Sequence, residues 1–233
     1  MTRRRFVADE VSANRAVLTG DHAAHLARVL RARVGQEFDI TTPAAVRRGR
    51  ITSITNDRVE FELAGELPAT SLTNITLVLA IFKFDRMEWA IEKCTELGAA
   101  SIIPVIAQRT VAHLAAAAVK RRERWQRLAL QASEQSRRTT PPEISEPIKL
   151  KDAVALTAST RIVLSEAETI TMLRDVPPSH DTLLAIGPEG GWTEAEQKQF
   201  HDSGWTAASL GPTILRAETA AIAALAIAVS ALQ

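Results

Sequence analysis

Two short segments decide how the chain reads: IGPEGG at 186–191 and LGPTILRAETA at 210–220. Each follows an apolar run and precedes a stretch with helical patterning, which predicts a tight loop at the carboxyl end of a strand. Open α/β sheets bind ligands in that place. Glycine lets backbone approach a ligand closely, and proline fixes φ and removes a donor, so two such loops side by side predict a rigid pocket made mainly of main-chain groups. No GxGxxG opens a helix, and GPEGG lacks the Lys-Ser/Thr tail of a phosphate-binding loop, so neither an ordinary Rossmann site nor a P-loop is indicated.

Outward from these loops, the sequence from Ile75 onward alternates strands with helices, the pattern of a mostly parallel sheet covered by helices. Continuous apolar runs predict strands at 75–82, 102–106, 162–164, 183–186 and 207–210. Met87, Ala90, Ile91, Cys94 and Leu97 share one face of a helix over 85–97 that Gly98 closes. A long basic helix is expected over 119–137, stopped by Pro141 and Pro142. Thr193 and Glu196 have capping-box spacing, and Gly204 ends the helix that they begin. The first part of the chain reads differently: a helix over 21–33 with Asp21 as N-cap and Leu26, Val29 and Leu30 inward, then strands at 37–41, 50–55 and 58–63, the last two joined by Asn56 and Asp57. Residues 65–74, with Pro68, read as a linker, which divides the chain into a β-rich domain (1–72) and an α/β domain (73–233).

The chain has 233 residues, enough for one large or two small domains with a real core, and a net charge of +1 that argues against a nonspecific nucleic-acid coat. Basic residues nonetheless cluster at 3–5, 28–33, 47–50 and 120–127, suited either to phosphate contact or to solvated helix faces. One cysteine excludes a disulfide framework or a Cys-rich zinc site, and the scattered histidines show no metal-ligand pattern, so no metal is expected. MTRRRF leads into polar residues and the apolar stretch 219–232 is short for a span, so the expectation is a cytoplasmic protein with no membrane partner. That stretch reads instead as a buried or interface helix.

The paired loops resemble the cofactor loops of the SPOUT methyltransferases, specifically the 16S rRNA (uracil-1498-N3)-methyltransferase family. The resemblance runs over nearly the whole chain: Arg5-Phe6, His25-Leu26, Val29-Leu30-Arg31 and Gly35, then Lys83 with Arg86-Met87-Glu88, Glu96-Leu97-Gly98, Arg109, Trp125, Glu134-Gln135 and Arg138. Departures fall at Phe84, where a small residue is usual, at Ser136-Arg137, where a glycine commonly precedes the arginine, and at 41–45, which lacks an Asp-Gly turn. The resemblance implies an α/β protein whose SPOUT-type methyltransferase domain, with a deep trefoil knot in roughly the last 75 residues, follows a small PUA-like β-barrel RNA-binding domain. It implies S-adenosylmethionine (SAM) as cofactor, bent among three loops and touching Leu164, Gly187, Pro188, Glu189, Gly190, Gly191, Leu210, Gly211 and Leu215. It further implies a homodimer acting on the 16S rRNA of the small ribosomal subunit, with Arg5, Arg28, Arg31, Lys83, Arg109 and Arg138 on the RNA. A ribose 2′-O-methylating SPOUT enzyme and a noncatalytic RNA-binding assembly factor are the rival readings.

Arg216 and Glu218 are the candidate catalytic residues. An arginine between a ligand loop and an apolar helix needs a partner, either a carboxylate such as Glu189 or Glu218 or a substrate, and the resemblance favours substrate. Glu218 can serve as helix-terminal charge or as base; Glu189 and water are equally open for the base. Cys94 shares its face with Met87, Ile91 and Leu97, which reads as core rather than nucleophile, and Trp192 reads as packing before base stacking.

Overall fold

The computed structural model describes residues 5–67, 74–136, 138 and 140–232. They form two compact units, Met1–Ser71 with Ser133–Thr140, and Leu72–Ala132 with Pro141–Gln233. Arg3, Arg4, Pro68 and Arg137 lie outside the described residues.

The first unit is a curled six-stranded sheet ordered β1-β4-β5-β6-β3-β2, from β1 (Arg5–Val7), β2 (Glu10–Ser12), β3 (Arg15–Thr19), β4 (Glu37–Thr41), β5 (Val46–Ile54) and β6 (Arg58–Glu66). Its ladder among the described residues is an open path, antiparallel except where β1 joins β4. Alternation places Leu18, Ile40, Ile51, Val59 and Phe61 inside, with Leu26 packed on them. The Asn56-Asp57 turn forms as expected, closed by Thr55 N–H to Arg58 O at 2.8 Å. The helix does not run over 21–33. It is α1 (Gly20–Ala24), begun by Thr19 rather than Asp21 and continued by a wider turn at His25–Val29 in which Leu30 N–H reaches His25 O. Arg31 then takes a left-handed φ of 48°, which stops it, and Val29 points outward, 67% exposed. β1 and β2 are three residues each and β3 buries Ala16, Val17 and Leu18 in a row, so none of them shows the sustained alternation of a strand, and β6 extends through Gly65, so the expected linker begins later.

The second unit is a seven-stranded parallel sheet. Its strands are β7 (Ile75–Ala80), β8 (Ser101–Ile106), β9 (Glu143–Ile144), β10 (Ile148–Lys149), β11 (Thr160–Leu164), β12 (Thr182–Ile186) and β13 (Thr206–Ala208), ordered β10-β8-β7-β12-β11-β13 with β9 also on β8. One face is covered by α2 (Phe84–Leu97), α3 (Ala112–Ser136) and α6 (Ala217–Ser230), the other by α4 (Leu150–Val154) and α5 (Glu194–Asp202). Burial on both faces is why β12 reads as unbroken TLLAI. Gly98 closes α2 at a φ of 103°. The alanine run 115–118 lies inside α3, which starts seven residues before the expected 119, because alanine has the best helix propensity. Phe84 packs edge-on against the buried Trp125, ring centroids 5.8 Å apart, with Arg121 5.1 Å above its ring, so this departure from the family pattern is a core contact. No described helix is long and apolar enough to cross a membrane.

Candidate functional site

The chain passes through β11 and β12 and returns to add β13 beside β11, on the side away from β12. The carboxyl ends of these three parallel strands therefore stand together, and so do the loops 165–172, 187–192 and 209–216 that leave them. The first and third loops are stitched by backbone: Ser165 N–H to Ala208 O at 3.0 Å, Ser209 N–H to Thr171 O at 2.9 Å and Leu173 N–H to Ser209 O at 2.8 Å. The second turns on Gly191 N–H to Pro188 O at 2.8 Å, with Gly191 at a φ of +69° that favours glycine. Gly211, at +132°, does the same in the third.

Between the loops lies a cavity of about 260 Å³. All nine expected cofactor positions line it, Leu164, Gly187, Pro188, Glu189, Gly190, Gly191, Leu210, Gly211 and Leu215, together with Ala208, Ala217 and Ala220. Apolar side chains and main chain make most of the wall, and its charged members are Arg109, Glu166 and Glu189. Trp192 is buried, with its ring 4.9 Å from that of Phe200, which is the packing reading. Its indole N–H, near the Gly187 backbone, has no acceptor among the described residues.

The structure corrects the ion-pair reading of Arg216. Both carboxylates offered to it belong to Arg86: its Nη1 lies 3.2 Å from Glu218 Oε1 and 3.8 Å from Glu189 Oε1. Arg216 is exposed at the N-terminal boundary of α6, where its carbonyl accepts from Ala220 N–H at 2.8 Å. Glu218 is only 4% exposed and lies off the cavity wall, and its Oε2 is buried without a hydrogen-bond partner among the described residues. Arg86 could not be read as this clamp from the sequence, because its contact with Glu218 spans 132 residues and leaves no local spacing.

The expected RNA contacts divide. In the first unit Arg28 and Arg31 are exposed and Arg5 is half-buried. Arg138 is buried, and burial pushes its guanidinium down to about 10, which takes it off the surface where a phosphate contact was expected. In the second unit Lys83 is exposed at the start of α2, whereas Arg109 lies on the cavity and donates to Gly190 O. Much of the remaining basic charge is internal: Arg47 bonds the carbonyls of Ala13 and Ala64, and Arg121 and Arg124 both reach Glu88. Cys94 is fully buried and burial pushes its thiol up to about 12, which leaves it inert. His22 has a carboxylate partner, its Nε2 lying 3.0 Å from Glu134 Oε1.

The parallel sheet with its three-loop cradle at β11, β12 and β13 is that of a SPOUT-type RNA methyltransferase domain, as the family matches show. A family model for the RNA methyltransferase domain matches residues 69–229, and one for the RNA methyltransferase PUA domain matches 18–64. The chain belongs to the ribosomal RNA small subunit methyltransferase E family. It is 33% identical to the member from Mycobacterium bovis, over 90% of this chain and 84% of that one, and 32% identical to the Synechocystis sp. member, over 90% and 71%. Among solved structures it is similar to ribosomal RNA small subunit methyltransferase E from Neisseria gonorrhoeae bound to S-adenosyl methionine, with a TM-score of 0.84 and 33% identity over 97% of this chain and 96% of that one.

Proposed function

We propose that the chain methylates N3 of a uridine in the 16S rRNA of the small ribosomal subunit, using SAM, as a homodimer. The observation that carries this reading is the three-loop cradle with Arg216 exposed between its lining residues Leu215 and Ala217, and with no carboxylate engaging it among the described residues. The residues present fit the cofactor. Leu164, Leu210 and Leu215 offer an apolar wall for an adenine ring, the glycine loops offer backbone groups, and left-handed Gly191 and Gly211 keep the loop backbone in conformations that a side chain would strain.

SAM supplies an electrophilic methyl group and leaves as S-adenosylhomocysteine. The uracil N3–H bond breaks as the N3–methyl bond forms, and the negative charge that appears spreads over O2 and O4. Arg216, permanently charged and offering several fixed donors, is placed to meet that charge as it grows. Glu218 acts through Arg86, which ties the start of α6 and Glu189 of the second loop to α2 and so fixes the backbone from which Arg216 projects. Glu189, on the cavity wall, or a water takes the departing proton. Arg28 and Arg31 of the first unit and Lys83 of the second supply phosphate contacts.

The dimer reading rests on α6. One side is buried against α2 and the sheet through Ala217, Ala221, Ala224, Leu225 and Ala228, while Ile222, Ile227 and Val229 flank that side, packed at its edges and only half-buried.

Single-turnover methylation and SAM titration on one Arg216→Ala preparation test the reading. The expected result is a rate loss of about a hundredfold to a thousandfold with near-normal SAM affinity. A near-normal single-turnover rate would remove Arg216 from the chemistry.

A further inference from the structure

Arg109 was expected on the RNA, and Glu166 carried no expectation at all. The structure sets both at the same corner of the cavity. A Cβ placed on Gly191 would lie 3.9 Å from Glu166 Oε1 and 4.0 Å from Arg109 Nη1, so a carboxylate and a guanidinium face one point from two different loops. They form no ion pair with each other among the described residues, and Arg109 is the cationic residue that shares the cavity wall with Glu166.

Each side chain is held at the apex of a tight turn. Arg109 lies in the turn 107–110, closed by Thr110 N–H to Ala107 O at 3.0 Å and pinned to the start of α5 by Gln108 N–H to Glu196 Oε1 at 2.7 Å. Glu196 is itself buried in the capping box with Thr193, so this anchor is rigid. Glu166 lies in the turn 165–168, where Ala167 N–H reaches Ser165 Oγ at 3.2 Å. Among the described residues one N–H of the guanidinium is spent, on Gly190 O, and the rest of its fork can meet an anion.

Two opposite charges, separately anchored, facing one point of a cavity whose wall adds a further carboxylate at Glu189 but is mostly apolar side chains and main chain, are complementary to a zwitterion. We propose that Arg109 and Glu166 bind the amino-acid end of the cofactor, the guanidinium taking its carboxylate and Glu166 its ammonium. This rests on the SAM reading above and deepens it. It also moves Arg109 from the RNA to the cofactor, with Glu166 as a specificity residue that favours ligands carrying a free α-amino group.

The test compares S-adenosylhomocysteine with 5′-methylthioadenosine by calorimetry on the full chain. Both are neutral thioethers on the same adenosine, and only the first has the amino-acid end. The wild type should bind the first more tightly. Glu166→Gln and Arg109→Gln should each weaken S-adenosylhomocysteine about tenfold to a hundredfold, the range of one charge-assisted hydrogen bond, and leave 5′-methylthioadenosine within about twofold. Equal losses for both ligands would mean that the pair only shapes the loops, and no loss for either would mean that it touches neither; both outcomes overturn the inference while leaving the SAM reading intact. A wild type that binds neither ligand nor SAM would overturn the two together. Glu166 is exposed, so its isosteric variant keeps the test valid should Arg109→Gln disturb the second loop.

Discussion

Replacing Arg86 by Met removes the group that holds Glu218 and Glu189 together. Glu218 is the sensitive partner. Its side chain is 6% exposed, its Oε2 already has no hydrogen-bond partner, and without Arg86 its Oε1 loses the 3.2 Å contact as well. Breaking a fully buried pair by removing one member costs about 3–5 kcal/mol. The Arg86 side chain is 30% exposed, so solvent screens part of the interaction, and about 2–3 kcal/mol is the expected cost. For a chain of this size that corresponds to roughly 5–10 °C in Tm. Thermal unfolding followed by circular dichroism measures it, with Glu218→Leu and the double variant completing a cycle. The double variant should recover much of the loss, since it leaves no buried charge without a partner. A Tm shift under about 2 °C for Arg86→Met, or strictly additive losses in the cycle, would refute the clamp.

Gly191→Ala should weaken SAM binding about fivefold to thirtyfold, because a non-glycine residue at a φ of +69° costs roughly 1–2 kcal/mol; Gly190→Ala should be milder, since Gly190 has no positive φ and its Cβ would need Arg109 Cδ, at 3.2 Å, to give by only a few tenths of an ångström. Equal calorimetric losses would contradict this. The Glu134 hydrogen bond raises the His22 pKa above its ordinary value of about 6.5, so the pair's stabilisation is fully present below that pH and is lost as pH rises through the folded value. Tm should therefore fall between about pH 6 and 8 more steeply in the wild type than in Glu134→Gln; parallel profiles would exclude the pair as the cause. Light scattering at micromolar concentration should give a dimer mass, and Ile227→Glu, at a half-buried flank of α6, should give a monomer; a monomeric wild type would contradict the interface.

The second unit was largely legible because each signal was local. An uninterrupted apolar TLLAI marks a strand buried on both faces, Met87, Ala90, Ile91 and Cys94 mark one helix face, and Thr193 with Glu196 marks a helix start. The loop positions followed from those strands, and with the family resemblance they named the residues that line the cavity. What escaped depends on chain segments brought together from afar. Nothing near Arg86 indicates that Glu189 and Glu218 converge on it, and nothing near Glu166 indicates Arg109. The burial of Arg138 escaped for the same reason: an arginine reads as surface until the packing around it is known. Residues 21–33 failed differently, since their apolar spacing suits an α-helix and only the wider turn and left-handed Arg31 reveal that the helix stops early.

Incubation with methyl-labelled SAM and small ribosomal subunits lacking the modification, followed by digestion and nucleoside analysis, tests the central claim most directly. Label recovered as 3-methyluridine is the predicted result. Label on a ribose 2′-oxygen, or no transfer from a protein that binds SAM, would contradict it.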